Sequence, residues 1–183
     1  MKNILKNKTV AVVICALLVY MGLFMGVNRP IGNMKDEALV HFYGDGDVIG
    51  IKNDLDTKVE TAYSLMSIAK RYIDEDEAVI TDLVDACEEV RKSETPGEAY
   101  EANMKMDGCY GKLKSTLDSM KLSKKDEDYN YSLLSQYNSS DMIISHSEYN
   151  TLAGEVNRKL SKFPAGLVSK LTFTSKMELY GQE

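Results

Sequence analysis

Two histidines and two cysteines are the side chains of this sequence best suited to chemistry. His41 and His146 could bind a metal ion or transfer protons, yet neither has a second His or Cys three or four residues away. The chain also contains no glycine-rich phosphate loop, no HExxH or CxxC motif and no nucleophilic serine motif. We therefore interpret the histidines as surface or boundary residues. The sequence predicts a protein that is not an enzyme and needs no metal or cofactor.

Cys87 and Cys109 could form a disulfide, because they lie on two predicted helices that are joined by one short turn near Thr95. They are eight and fourteen residues from Thr95, so their heights along the hairpin differ by ~9 Å at ~1.5 Å per residue. A disulfide needs Cα atoms within ~7 Å of each other. The spacing favours two free buried thiols, and a disulfide would require a staggered hairpin.

The run from Asp45 to Gly50 begins like a calcium-binding loop. An EF-hand requires ligands at alternating positions and a glutamate at the twelfth, and Ile49 and Lys52 do not fit that pattern. We expect instead a turn in which aspartates cap a helix.

The elements that position these residues are predicted to be helices. The chain has no Trp and only three Pro, and it is rich in strong helix formers. A lone helix cannot bury a long apolar face, so the face predicted over residues 126–164 requires a bundle. Pro164 ends that helix, because it lacks an amide donor. The residues that recur every three or four positions on this face are Met142, Ser145, Tyr149, Leu152, Val156, Leu160 and Phe163.

Two further long helices are predicted before this one. The first covers residues 48–92 with a bend around residues 74–77, and the second begins at a capping box formed by Thr95 and Glu98. Short connections make successive helices antiparallel. Residues after Pro164 are expected to fold back as a hook. The predicted fold is all-α: an N-terminal transmembrane helix, then an antiparallel up-down helical bundle of three long helices plus a short segment.

Asparagine and tyrosine side chains on the last predicted helix each leave two interpretations open. Asn150 and Asn157 are seven residues apart and share a helix face. They could recognise a partner, or they could be interior polar residues that fix the helix register. The tyrosines could form a ligand-binding stripe or part of the bundle core and its boundary; they are Tyr129, Tyr131, Tyr137 and Tyr149.

The end of this helix resembles the C-terminal signature of the LemA family, in which two YN pairs are followed by FP. Val156 replaces the second tyrosine of that signature, and Ala153 replaces its usual valine. The matching residues, which are our candidate interface residues, are Tyr149, Asn150, Asn157, Phe163 and Pro164.

A second stretch matches the same family without a gap. Here Tyr63 replaces the family's proline and Cys87 replaces its arginine. The resemblance covers residues 53–181 and implies a helical protein of the bacterial cell envelope without an established biochemical activity. One relative serves in magnetosome formation, which implies that the fold can serve membrane organisation. The matching residues of this stretch are Glu60, Leu65, Lys70, Tyr72, Ala78, Val79, Asp85 and Ala86.

An apolar segment precedes the predicted bundle. Residues 9–27 carry no charge, and a helix needs ~20 residues to cross a ~30 Å hydrocarbon core. We expect an uncleaved single-pass anchor, since no short apolar core or small-x-small cleavage site is clear. Lysines before the segment place the N-terminus in the cytoplasm and the bundle outside it. The predicted organisation is a cytoplasmic N-terminus at 1–8, a cell-membrane anchor at 9–27, a stalk, linker or short irregular helix at 28–47, and a LemA-like bundle with its hook at 48–183.

The charge of the chain limits its partners. Beyond Lys2, Lys6 and Lys8 it carries 19 basic and 28 acidic side chains, a net charge of −9. Nucleic acid is therefore disfavoured, because phosphate binding needs clustered positive charge. We expect a membrane-anchored, non-enzymatic scaffold or interaction module that binds another envelope protein or a second copy of itself. The alternative is an ectodomain that senses a small molecule or envelope stress and works through a separate membrane partner.

Overall fold

The computed structural model describes residues 8–181, and this part of the chain contains helices and no strands. The all-α prediction is confirmed. The chain forms two compact units: the larger comprises Leu39–Asn150 and the residues from Glu178, and the smaller comprises the residues up to Ala38 and Thr151–Met177. The helices are α1 (Lys8–Tyr43), α2 (Ile51–Ala69), α3 (Ala78–Lys92), α4 (Pro96–Asp118), α5 (Lys124–Ser145), α6 (Tyr149–Leu160) and α7 (Ala165–Thr172).

The larger unit is an up-down bundle of α2, α3, α4 and α5. The start of α2 lies beside the end of α3, where Lys52 Nζ donates to the Ser93 carbonyl oxygen at 2.9 Å. The residues after α2 lie beside the start of α5, where the Tyr72 hydroxyl donates to Asp126 Oδ2 at 2.6 Å. The short connection between α3 and α4 makes them antiparallel, as predicted, whereas the hairpin of α2 and α3 was not predicted, because residues 48–92 were expected to form one bent helix. Aliphatic side chains from the four helices fill the core, among them Leu55, Leu65, Ile68, Leu83, Leu113, Leu117 and Leu133.

The capping box predicted at the start of α4 is present, and a serine caps the start of α5. Thr95 Oγ1 accepts from the Glu98 amide at 3.3 Å, and Glu98 Oε2 accepts from the Thr95 amide at 3.2 Å, which completes the capping box before α4. At the start of α5, Ser123 Oγ accepts from the Asp126 amide at 3.2 Å. These contacts satisfy amides that have no partner within their own helix.

Two segments that were predicted as single helices are each divided. Residues 70–77 separate α2 from α3, with a turn closed by the Glu77 amide and the Asp74 carbonyl at 3.2 Å. Four consecutive acidic side chains repel one another, so an exposed turn suits this stretch better than a continuous helix. Residues 146–148 separate α5 from α6, and Ser147 Oγ accepts from the Tyr149 amide at 3.3 Å. A hydroxyl in this position starts a new helix.

The segment at 28–47, predicted as a stalk, a linker or a short irregular helix, is mostly a regular continuation of α1. Residues 28–43 continue α1, with Pro30 inside the helix, and only residues 44–50 connect α1 to α2. Buried Ile31, Ala38 and Phe42 recur at helical spacing, so this part of α1 packs on one face. Within the connection Asp45 Oδ1 accepts from the Asp47 and Val48 amides at 2.8 and 2.7 Å, which is the predicted aspartate turn.

The smaller unit is held together by a small apolar cluster. Ile31 of α1 and Val156 and Leu160 of α6 are buried together, and Val27 and Met177 pack against them. The first part of α1 is the one helix of residues 8–181 that is long and apolar enough to cross a membrane, by length and composition. Its apolar window has a mean hydropathy of 2.6 and none of it is buried. The predicted cytoplasmic N-terminus, apart from Lys8, lies outside the described residues.

Candidate functional site

The asparagines of the family signature bind the backbone of the C-terminal tail, which we define as residues 174–181. In the smaller unit Asn157 Nδ2 donates to the Met177 carbonyl and Asn157 Oδ1 accepts from the Met177 amide, both at 2.8 Å. In the larger unit Asn150 makes the same pair of contacts with Tyr180, both at 2.8 Å. Each asparagine amide thus pairs with one residue's N–H and C=O as a neighbouring strand would.

The spacing of the two asparagines explains why the same contact occurs twice. Seven residues of helix rise ~10.5 Å, and three residues of extended chain span ~10 Å. Asn150 and Asn157 therefore match Tyr180 and Met177 along the tail. Neither interpretation from the sequence anticipated this contact, in which the chain's own tail takes both amides.

Tyr149 secures the tail in the larger unit. Its hydroxyl donates to the Glu178 carbonyl oxygen at 2.7 Å, and its ring packs against Phe42 with the centroids 5.4 Å apart. Burial, assisted by the nearby Glu178 and Tyr43, raises the pKa of Tyr149 to about 12. The hydroxyl therefore remains a hydrogen-bond donor at neutral pH.

The other two residues of the predicted interface are not part of the tail contact. Phe163 is 85% exposed. Pro164 follows it through a cis peptide bond and precedes α7. The structure therefore assigns Tyr149, Asn150 and Asn157 to internal support of the tail, and it leaves Phe163 as a surface residue of the smaller unit.

A buried lysine inside the larger unit is a polar centre that the sequence analysis missed. Lys58 of α2 has a fully buried side chain. Its Nζ donates to Asn103 Oδ1 at 2.7 Å, to Asp107 Oδ1 at 2.6 Å and to Asp141 Oδ1. The Lys58 ammonium group thus binds an asparagine and an aspartate of α4 and an aspartate of α5. A signal was present, because Lys58 is three residues after Leu55 and four before Ala62, on the face of α2 that carries these apolar residues.

Aromatic rings close this centre, which we call the Lys58 network. Lys58 Nζ lies 4.5 Å from the Tyr137 ring centroid, and the Tyr137 hydroxyl donates to Asp107 Oδ1 at 2.8 Å. Tyr110 stacks on Tyr137 with the centroids 3.8 Å apart. Burial, then the Asp107 carboxylate, raises the pKa of Tyr137. Every charged group of the network has a partner, so the arrangement suits alignment of three helices better than catalysis.

Both histidines line one open groove of the larger unit, with a volume of about 560 Å³. His41 Nε2 lies 3.8 Å from Glu148 Oε2, and His146 Nδ1 contacts the Met142 carbonyl oxygen at 2.7 Å. No three metal-ligating side chains among residues 8–181 are grouped so that they could hold an ion. The groove, which we call the histidine groove, is lined by His41, Val48, Ile49, Ile51, Asp54, Met142, Ile143, His146, Ser147 and Glu148.

The surface of the histidine groove is largely apolar. Ile49, Met142 and Ile143 are 75%, 64% and 52% exposed. Asp54 lies in the groove with only 9% of its surface exposed, and burial raises the pKa of its carboxyl. Within the described chain this carboxyl has no side-chain hydrogen bond or ion pair. The groove therefore combines exposed aliphatic side chains with a carboxyl that could receive a cationic group.

The cysteines and the remaining tyrosines are separate from these sites. Cys87 and Cys109 are free and buried, as the spacing predicted. Burial raises the pKa of Cys87 to about 12, which makes its thiol a poor nucleophile. The four tyrosines do not form one stripe, since Tyr137 and Tyr149 are buried whereas Tyr129 and Tyr131 are 50% and 76% exposed.

Comparison with known proteins gives one match. The model of the family described as "LemA family" matches residues 47–183, so the resemblance drawn from the signature residues is confirmed. No curated protein and no solved structure matches the chain.

Proposed function

The chain belongs to the LemA family, and from that premise we propose that it is a membrane-anchored interaction module without catalytic activity of its own. The first part of α1 anchors it in the cell membrane, with the N-terminus in the cytoplasm and the bundle outside it. The length and hydropathy of α1 and the lysines before its apolar segment support this orientation. The bundle then presents a docking surface to another envelope protein.

The histidine groove is the observation that carries the proposal. Three aliphatic side chains of this groove, Ile49, Met142 and Ile143, remain more than half exposed in a unit whose core is otherwise well filled. Exposed apolar side chains that are grouped together mark binding sites more often than those scattered singly. The network around Lys58, by contrast, carries one net negative charge, but its lysine is fully buried and both of its carboxylates already bind that lysine.

The charge of the groove indicates the chemistry of the partner. Among the residues that the structure describes, the carboxyl of Asp54 has no cationic partner, and Glu148 at the rim is largely exposed. We expect an apolar segment of an envelope protein that carries a lysine or arginine. Its aliphatic residues would cover Met142 and Ile143, and its cation would pair with Asp54.

Photocrosslinking in intact cells tests this proposal. A photoreactive amino acid at Ile143 of the full chain should give one dominant adduct, and the same group at Tyr131, an exposed position elsewhere on α5, should give none. The adduct should map to an apolar peptide with a basic residue. The yield of this adduct should fall at least about tenfold in a chain with Ile49→Glu, because a charged side chain at the rim of the groove opposes apolar contact.

The outcomes separate the possible partners. An adduct with a second copy of this chain would show that the groove mediates self-association and does not bind another envelope protein. Equal labelling from Ile143 and Tyr131, or an adduct unaffected by Ile49→Glu, would overturn the groove as a docking surface. Asp54→Asn should reduce the adduct without abolishing it, and an unchanged yield would remove the cationic group from the proposal.

A second candidate is the sensor ectodomain considered from the sequence. The groove volume of about 560 Å³ is in the range of small-molecule sites, ~300–1,000 Å³. A small-molecule screen on the full chain would favour this candidate if a hit shifted the resonances or exchange rates of Met142 and Ile143 and not those of Tyr131.

A further inference from the structure

The smaller unit exposes a group of apolar side chains at its C-terminal end. Leu167 and Leu171 share one face of α7 and are 52% and 56% exposed, whereas Val168 on another face is buried. Phe163 before α7 and Phe173 after it are 85% and 93% exposed. Phe173 also has φ of 54°, a left-handed conformation that is uncommon for a bulky residue. We call these four exposed residues the α7 surface.

Positive charge lies beside the α7 surface. Lys162, Lys170 and Lys176 line a concave pocket of about 490 Å³ that also includes Phe163 and Leu167. None of the three lysines forms an ion pair with a described residue. Residues 151–177 carry five basic side chains and one acidic side chain, whereas the rest of the chain carries 17 basic and 27 acidic. A basic segment in an acidic protein indicates an anionic ligand.

The packing of the smaller unit brings the α7 surface close to the end of the apolar segment. That segment ends at Val27, and Val27 packs against the cluster formed by Ile31, Val156 and Leu160. Ile31 is only ~6 Å further along the helix than Val27. Leu160 of this cluster also lines the pocket that contains Phe163 and Leu167. The α7 surface therefore lies close to the end of the apolar segment, where a spanning helix would enter the headgroup layer.

We propose that α7 lies in the membrane interface as an amphipathic helix. The four exposed apolar side chains enter the upper part of the acyl chains, and the three lysines bind the phosphates of anionic lipids. This inference rests on the membrane anchor of the proposed function. It adds a second, peripheral attachment that fixes the smaller unit against the bilayer.

Fluorescence quenching in vesicles tests the inference, because the chain has no Trp of its own. The full chain with Leu171→Trp is reconstituted into vesicles of equal parts phosphatidylglycerol and phosphatidylcholine, with bromine on the acyl chains near the headgroup. We expect quenching at least about twofold greater than for Tyr131→Trp, a control in the larger unit that is more exposed than Leu171. Val19→Trp reports on the anchor and should be quenched by bromine near the chain ends.

The three reporters make the failures distinguishable. Quenching of Val19→Trp without quenching of Leu171→Trp would overturn the inference and leave the anchor in place. Quenching of neither would overturn the anchor as well. Quenching of Leu171→Trp and not of Tyr131→Trp supports the inference.

The lysines are tested in the same reporter chain. Lys162→Gln, Lys170→Gln and Lys176→Gln together should reduce the phosphatidylglycerol-dependent quenching at least about threefold, because each lysine near the surface adds to lipid affinity. The matched control changes three exposed lysines of the larger unit, Lys112, Lys121 and Lys124, to Gln. An equal loss in both variants, or quenching that is the same in pure phosphatidylcholine, would overturn the lysines as the lipid-binding groups.

Discussion

Lys58 of the larger unit and three lysines of the smaller unit have opposite surroundings. In the larger unit Lys58 is fully buried and donates to two aspartates and an asparagine. In the smaller unit Lys162, Lys170 and Lys176 have no ion-pair partner among the described residues and line an open pocket. By sequence the larger unit has 12 basic and 25 acidic side chains, a net of −13, and the smaller has ten and three, a net of +7.

The difference shows that the surroundings of a lysine decide whether its charge stabilises the fold or binds an external anion. A buried cation is tolerated only when carboxylates replace the water that it has lost, so the Lys58 network fixes which helices meet. Exposed, unpaired cations contribute little to folding and remain available to an external anion. Lys58 therefore serves the internal structure of the larger unit, and the three lysines beside the α7 surface are available to a ligand.

The largest effect is expected from removing the buried cation. Lys58→Met should lower the free energy of unfolding of the larger unit by about 3 kcal/mol, because Asp107 and Asp141 would lose the charge between them. Urea unfolding of the full chain, followed by circular dichroism, measures the loss. Adding Asp107→Asn and Asp141→Asn should recover most of it. If Lys58→Met left the free energy of unfolding unchanged, the network would not stabilise the bundle.

The tail contacts should give a smaller and local effect in each unit. Asn157→Ala should speed hydrogen exchange of the Met177 amide roughly tenfold, since losing a pair of hydrogen bonds costs about 1–2 kcal/mol. Asn150→Ala should do the same for the Tyr180 amide. Each variant serves as the control for the other, and a global rise in exchange would contradict two independent contacts.

A pH-dependent effect is expected where the residues after α2 meet the start of α5. Hydrogen bonds from Tyr72 and Ser123, together with Arg71, lower the pKa of Asp126 below its usual 3.8. Because the folded-state pKa is depressed, this carboxylate stabilises the fold fully above pH 3.8 and loses that contribution as the pH falls through the lower value. Asp126→Asn should therefore be less stable than the unchanged chain at pH 7. The difference should shrink in unfolding experiments below pH 3.8, and a constant difference would contradict the charge assignment.

The smallest effect is expected for the exposed lysines. Changing Lys162, Lys170 and Lys176 to Met should alter the free energy of unfolding by no more than about 0.5 kcal/mol, since surface substitutions without partners rarely matter. The measurement is the same urea titration that is used for Lys58→Met. A loss of free energy as large as that of Lys58→Met would contradict the contrast between the buried lysine and the three exposed ones.

Local patterns determined the helical fold and several of its boundaries. The three- and four-residue spacing of apolar side chains predicts the helices, and the Thr95 capping box predicts the start of α4, because both depend on residues within one or two turns. The same locality explains the errors. Pro30 and Gly32 favoured a stalk or a short irregular helix, but burial of Ala38 and Phe42 stabilises a regular helix in this part of α1.

The sequence by itself determined an all-α chain with an apolar helix at its start and the LemA signature near its end. Only the tertiary structure decided what the polar residues of that chain contact. Asn157 and Asn150 bind residues 20 and 30 positions away, and Lys58 binds Asp141 across 83 positions. Periodicity reports which face of a helix is buried. The partner of a buried polar group depends on which distant segment packs there, and that choice follows from the packing of the whole unit.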